Sequence, residues 1–144
     1  GYHRYEISNY AKAGYVCRHN VGYWKRVDYI GFGLGASTLQ NPLRYKNTDD
    51  LQEYLNLDFS KKELLVLTKD NQIEETLFLG LRMMEGVSLS AFEEHFHCPL
   101  TVIYQREIQK LTEKGLLRIE EDRISLTEKG IDLSNMVLSE FLLG

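Results

Sequence analysis

His19-Asn20, followed four and five residues on by Tyr23-Trp24, gathers an imidazole, an amide and two large aromatic rings into one short stretch. A neutral imidazole can ligate a metal or a haem iron while neighbouring rings stack on a macrocycle. The same cluster can equally be a hydrogen-bonded structural group, and spacing leaves both open. Gly31, Gly33 and Gly35 alternate in Tyr29-Ile30-Gly31-Phe32-Gly33-Leu34-Gly35-Ala36-Ser37. In a strand they would share one face and leave it bare, so that a ligand or a packed helix could come close. The spacing is GxGxGA rather than GxGxxG, and no βαβ unit follows, which excludes a dinucleotide fingerprint.

The remaining candidates are weaker. His95 and His97 bracket Phe96 next to Cys98, but residues two apart on a helix point to different sides, and nothing is spaced to complete a metal set. Arg82 is read as a structural cation with Glu85, three residues on, as its intrahelical partner. Cys17 and Cys98 lie far apart and outside any CxxC pattern, which argues against a disulfide framework or a zinc site. There is no Ser/His/Asp, paired-carboxylate or P-loop signature, so no residue is assigned as catalytic.

The elements that must position these groups fall into two parts. Residues 1–47 carry seven Lys/Arg against two Asp/Glu, seven of the nine tyrosines and the single tryptophan, whereas residues 48–144 carry ten against nineteen. A basic, aromatic, glycine-rich surface suits a planar or anionic ligand, and the acidic remainder suits a solvated helical domain. The front part reads as strand, loop, strand: one strand over Tyr5–Tyr10 and a second over Asp28–Leu34. Two strands cannot make a core, so this part needs the rest of a sheet or a second copy of the chain.

In the second part Thr48 caps a helix through Leu55, Glu63–Leu67 is a strand, and Thr68 caps a helix whose Ile73, Leu77, Leu81 and Met84 form one stripe stopped by Gly86. Ser90 and Glu93 have capping-box spacing around a short helix, starting one or two residues earlier, that shares Leu89, Phe92 and Phe96 on one face. A helix over Thr101–Lys114 turns Tyr104, Ile108 and Leu111 inward and ends at Gly115. Leu116–Thr127 alternates around Glu121-Asp122 as a hairpin, and a last helix over Glu128–Leu142 buries Ile131, Val137, Leu138 and Phe141. The order describes a winged-helix arrangement, which prescribes no function by itself. No apolar run reaches the roughly 18 residues of a membrane span. The absence of an initiating methionine reads as a fragment, and the cytoplasm is the expected compartment.

Tyr5-Glu6-Ile7-Ser8-Asn9-Tyr10-Ala11, Arg18-His19-Asn20 with Tyr23-Trp24, and the Tyr29–Ala36 glycine run together resemble the oxygen-independent coproporphyrinogen III oxidase-like proteins. The HNxxYW pattern looks most like the branch regarded as haem chaperones. The resemblance continues through Leu79-Gly80-Leu81-Arg82, Gly86-Val87-Ser88, Gly115-Leu116-Leu117 and Leu126–Gly130. It implies a radical S-adenosylmethionine (SAM) parent, an oxidoreductase-like protein with a [4Fe-4S] cluster on a CxxxCxxC loop. That loop is absent from this sequence, so the chain alone is expected to hold no cluster or tightly bound cofactor and to be inactive in SAM cleavage.

The implied fold is α+β: residues 1–47 are the last strands of a partial (β/α) barrel, and residues 48–144 a winged-helix-like helical C-terminal domain. By the same resemblance Gly33, Gly35, Ala36 and Ser37 lie on the SAM side. His19, Asn20, Tyr23 and Trp24 lie on the haem, with His19 as the iron ligand. The implied partners are haem or a porphyrinogen, with a haem-acceptor protein or an electron donor, and a homodimer through the front part.

A true coproporphyrinogen III dehydrogenase, working by hydrogen abstraction with a 5′-deoxyadenosyl radical, is the alternative within the family. A winged-helix DNA-binding regulator is the alternative outside it. Its recognition helix would mix Arg106, Lys110 and Lys114 with Glu107 and Glu113, and its wing tip Glu120-Glu121-Asp122 would repel phosphates, so no nucleic-acid partner is expected.

Overall fold

A computed structural model of the chain describes residues 1–57 and 60–142. The chain divides into two compact units, residues 1–26 with 73–144, and residues 27–72. The 47/48 boundary drawn from charge falls inside the second of these.

The larger unit opens with a hairpin. Tyr5–Tyr10, expected as one strand, turns back at Ile7-Ser8, giving β1 (His3–Glu6) paired antiparallel with β2 (Asn9–Ala11). The Glu6 carboxylate drives the reversal by accepting hydrogen bonds from the Ser8 amide (3.0 Å) and the Asn9 side chain (2.6 Å), a local arrangement that competes with extension. The segment expected as loop then forms a helix, α1 (Arg18–Trp24).

In the 27–72 unit, β3 (Ser37–Gln40), β4 (Leu43–Lys46) and β5 (Lys62–Val66) form an antiparallel sheet in that order. Between β4 and β5 lies α2 (Leu51–Leu55). Its cap is Asp50 rather than Thr48, with the carboxylate accepting from the amides of Gln52 (2.8 Å) and Glu53 (2.9 Å). Thr48 is buried and donates instead to the Glu53 carboxylate (2.6 Å).

Thr68 does open the next helix, α3 (Lys69–Gly80): its hydroxyl accepts from the Asn71 amide while the Asn71 side chain accepts from the Thr68 amide. The helix ends at Gly80, short of Gly86. Beyond it the chain runs strand-like beside the first hairpin, with the Ile7 amide donating to the Arg82 carbonyl (3.0 Å) and the Met84 amide to the Tyr5 carbonyl (3.1 Å). Leu81 is nonetheless fully buried.

Next come β6 (Val87–Ser88) and α4 (Leu89–Phe96), capped by Ser88 rather than Ser90. The helix expected over Thr101–Lys114 is broken at Tyr104 into α5 (Leu100–Ile103) and α6 (Gln105–Glu113). Thr101-Val102-Ile103 is a run of β-branched residues that weakens the first turn. The break still lets Tyr104 bury its ring edge-on against Phe141, with centroids 5.2 Å apart.

The hairpin forms as β7 (Leu117–Glu120) and β8 (Arg123–Leu126), and β8 also pairs with β6. The final helix is likewise broken, at Leu133, into α7 (Glu128–Asp132) and α8 (Ser134–Ser139). Asp132, Ser134 and Asn135 at that point compete with helical hydrogen bonding. Leu77, Leu81, Leu111, Ile124, Val137 and Leu138 line the core of this mixed α/β unit. Among the described residues no helix is long and apolar enough to cross a membrane.

Candidate functional site

The HNxxYW stretch becomes legible once it is helical. Residues four apart share a face, so the motif is two i,i+4 pairs side by side, His19 with Tyr23 and Asn20 with Trp24. The first pair is exposed, its rings edge-to-face at 4.7 Å between centroids. No hydrogen-bond partner among the described residues occupies the His19 imidazole, which leaves its nitrogens available to an incoming ligand. The second pair faces the protein: Asn20 donates to the Tyr5 hydroxyl (3.2 Å), and the Trp24 ring lies under the Arg82 guanidinium, 4.6 Å from its carbon to the ring centroid. The indole N–H is buried and has no acceptor among the described residues.

Little within α1 itself would keep it helical. It has seven residues, all exposed or half-buried, its cap Cys17 makes no side-chain bond, and no acidic residue stands in its first turn. A helix this short is not stable alone. At its end Arg26 takes a left-handed conformation (φ 52°) and is buried, with Nε donating to Glu75 (3.1 Å), and Lys25 pairs with Glu85 at 2.6 Å.

Arg82 is held in turn by Glu6, not by Glu85 as the spacing suggested. Nε and Nη2 of Arg82 stand 2.9 and 2.7 Å from Glu6 Oε1. Glu6 is 0% exposed. Burial pushes its carboxyl up, but the Asn9, Ser8 and Arg82 donors outweigh burial and leave the pKa below the ordinary value. Sequence reasoning missed Tyr5, Glu6, Arg26 and Glu75. The available signal was the fourfold spacing of the two pairs, which marks a helix with an inner and an outer face.

The glycine run is built differently from expectation. Asp28–Leu34 is not a strand: apart from a single bridge between Tyr29 and Leu39 the segment is a loop, and Ser37 opens β3 instead of ending a strand. The glycines therefore do not share one bare face. Gly31 lies so close to the chain that a Cβ there would stand 2.2 Å from the Ser37 carbonyl oxygen, whereas Gly33 (φ +104°) has open space around it. Asn47, another missed residue, laces the loop by donating to the carbonyls of Gly31 (3.2 Å) and Gly33 (2.9 Å), and its amide donates to Ala36 (2.9 Å). Phe32, at the tip, is 89% exposed. This set belongs to the 27–72 unit and the α1 set to the other.

His95 packs edge-on against Phe96 and His97 ends α4 in the left-handed region, so both serve the helix end. Cys17 is exposed and Cys98 half-buried. An iron–sulfur cluster of the kind implied needs clustered thiolates. Among the described residues no group of three or more His, Cys, Asp or Glu could hold a metal ion.

Comparison with known proteins gives a consistent picture. Residues 67–133 match the family described as the HemN C-terminal domain. The chain is similar to the heme chaperone HemW of Lactococcus lactis, 40% identical over 99% of this chain and 38% of the relative, and to that of Bacillus subtilis, 38% identical over the same shares. It thus spans about two fifths of the length of these relatives. Among solved structures it is similar to the coproporphyrinogen III oxidase of Escherichia coli, a radical SAM enzyme, with a TM-score of 0.72 and 18% identity over 99% of this chain and 37% of that one.

Proposed function

Within the oxygen-independent coproporphyrinogen III oxidase-like radical SAM family, to which this chain belongs, we propose that it serves a haem chaperone that binds haem and passes it on in the cytoplasm. The observation that carries this reading is the two-faced α1: an exposed imidazole backed by an aromatic ring, on a helix whose inner face is tied to the protein. Haem is the cargo, His19 its axial ligand and Tyr23 the ring beside it, while Asn20 and Trp24 set the helix. Relatives named as haem chaperones, aligned over nearly the whole chain, support it.

The finer architecture belongs to the same reading: residues 1–47 as the last strands of a partial (β/α) barrel, and residues 48–144 as a winged-helix-like domain. Gly33, Gly35, Ala36 and Ser37 would face SAM in the intact barrel, where the left-handed glycines give close approach to a backbone held in shape by Asn47. SAM would supply radical chemistry there, and these residues would do no more than position it. The reading requires a haem-acceptor protein as partner, and it admits an electron donor and a homodimer through residues 1–47.

No observation favours DNA binding. Lys110, on the would-be recognition helix, is paired with Glu140 at 2.7 Å, and Asp122 is engaged by Ser88 and Ser90. The test is haem transfer from the loaded protein to an apo-globin, followed by absorbance. Saturable binding and transfer faster than from free haem in buffer are expected. A protein that takes up no haem would refute the proposal.

A further inference from the structure

The inner face of α1 is held among the described residues by a polar and a cation–π contact, and the one at the Trp24 turn runs back to a buried carboxylate. Glu6, at the bulged end of β1, fixes the Arg82 guanidinium through Nε and Nη2. The Arg82 backbone is fixed as well, since its carbonyl accepts from Ile7 and the following Glu6–Met83 bridge pairs the two segments. The far face of that guanidinium lies on the indole of Trp24, the last residue of α1, one helical turn plus one residue from His19. Asn20–Tyr5 holds the middle of the same inner face.

We infer that Glu6 and Arg82 are positioning residues for His19, acting through Trp24. The inference rests on the haem reading for its purpose, but not for its geometry.

No residue of α1 is fully buried, so apolar burial, limited to the half-buried Val21 and Trp24, constrains the helix weakly. The Lys25–Glu85 pair has both partners substantially exposed, and such pairs contribute little. Arg26 with Glu75 and Thr76 anchors the chain after the helix rather than its inner face. The Arg82–Trp24 pair, with a guanidinium held on one edge by a buried carboxylate, acts with the Asn20–Tyr5 bond to fix rotation about the helix axis. Rotation is what aims the His19–Tyr23 face. Lysine at position 82 would keep the charge but lose both the fork to Glu6 and the flat stacking surface.

The test uses the full chain and reads two things, hydrogen exchange of the 18–24 amides without haem, and the Soret band and affinity with ferric haem. Arg82→Gln and Trp24→Leu are each expected to speed exchange across 18–24 about tenfold, the loss of one cation–π contact. They should also weaken haem binding by a similar factor and shift the Soret band, while exchange across the 117–126 hairpin stays as in the parent. Trp24→Leu leaves the Glu6–Arg82 pair in place and so covers the case in which Arg82→Gln fails to fold. Trp24→Phe keeps a ring under the guanidinium and should restore most of both signals. A loss of haem ligation in His19→Ala alongside parental exchange and spectra in Arg82→Gln and Trp24→Leu would overturn the relay alone. An unchanged Soret band in His19→Ala would instead overturn the haem reading and, with it, the relay's purpose.

Discussion

Replacing Glu6 with Gln keeps the side chain's shape and removes its charge. Four donors converge on the native carboxylate, the Ser8 amide, the Asn9 amide group and two nitrogens of Arg82. A carboxylate offers about four lone-pair sites to receive them, whereas a carboxamide offers two on its one oxygen and turns an NH2 toward the rest. At least two donors therefore lose their acceptor in a site that is 0% exposed at Glu6. Charge-assisted bonds contribute about 1.5–3 kcal/mol each, and breaking a buried pair by removing one partner costs about 3–5 kcal/mol. The Arg82 side chain keeps 21% of its exposure, so water can take part of the guanidinium's demand. The expected loss is then about 3 kcal/mol, read from the urea midpoint at constant slope.

The pH dependence has a definite sign. The folded pKa of Glu6 is lowered, so its contribution is complete above the unfolded value of about 4.3 and is lost as pH falls through the folded value below it. Glu6→Gln should flatten that part of the acid limb. A midpoint shift worth under about 1 kcal/mol, or an acid limb unchanged from the parent, would refute the reasoning from four donors.

Other expectations follow from single contacts. Asp122 accepts from the hydroxyls of Ser88 (2.6 Å) and Ser90 (2.8 Å) and from the Ser90 amide (2.9 Å), and these bonds, Ser88 first, hold its carboxyl below the usual range. Protection of the first amides of α4 should therefore be full above the unfolded aspartate value and fall with pH below it, whereas Asp122→Ala should show low protection at every pH by hydrogen exchange. Leu111→Ala, at a side chain with no exposed surface, should cost about 2–5 kcal/mol in urea unfolding. Gly31→Ala places a methyl carbon 2.2 Å from the Ser37 oxygen, so exchange across β3 should rise sharply while the 117–126 hairpin is unaffected.

Much of the fold was legible because its signals were local. The 117–126 hairpin, the buried Phe92, Phe96, Ile108 and Leu111, and the Thr68 cap all follow from periodicity and turn chemistry within a dozen residues. The broken helices at Tyr104 and Leu133 were hidden because an inward stripe of residues survives the break. The glycine loop imitated a strand through Tyr29, Ile30, Phe32 and Leu34, yet Ile30, Phe32 and Leu34 are exposed and Asn47, well downstream, sets the loop's shape. His19, Asn20, Tyr23 and Trp24 stand together on one short helix, where the sequence reading expected a loop. That helix has no apolar stripe and no cap, and the carboxylate that organises it is 76 residues from Arg82, a distance no local pattern spans.

We propose that the exposed imidazole of α1 ligates haem iron. Ferric haem titrated into the parent chain and into His19→Ala, each with and without free imidazole, tests it most directly. The account predicts a Soret shift and weaker binding in His19→Ala that imidazole restores. Superimposable titrations of the two proteins would contradict it.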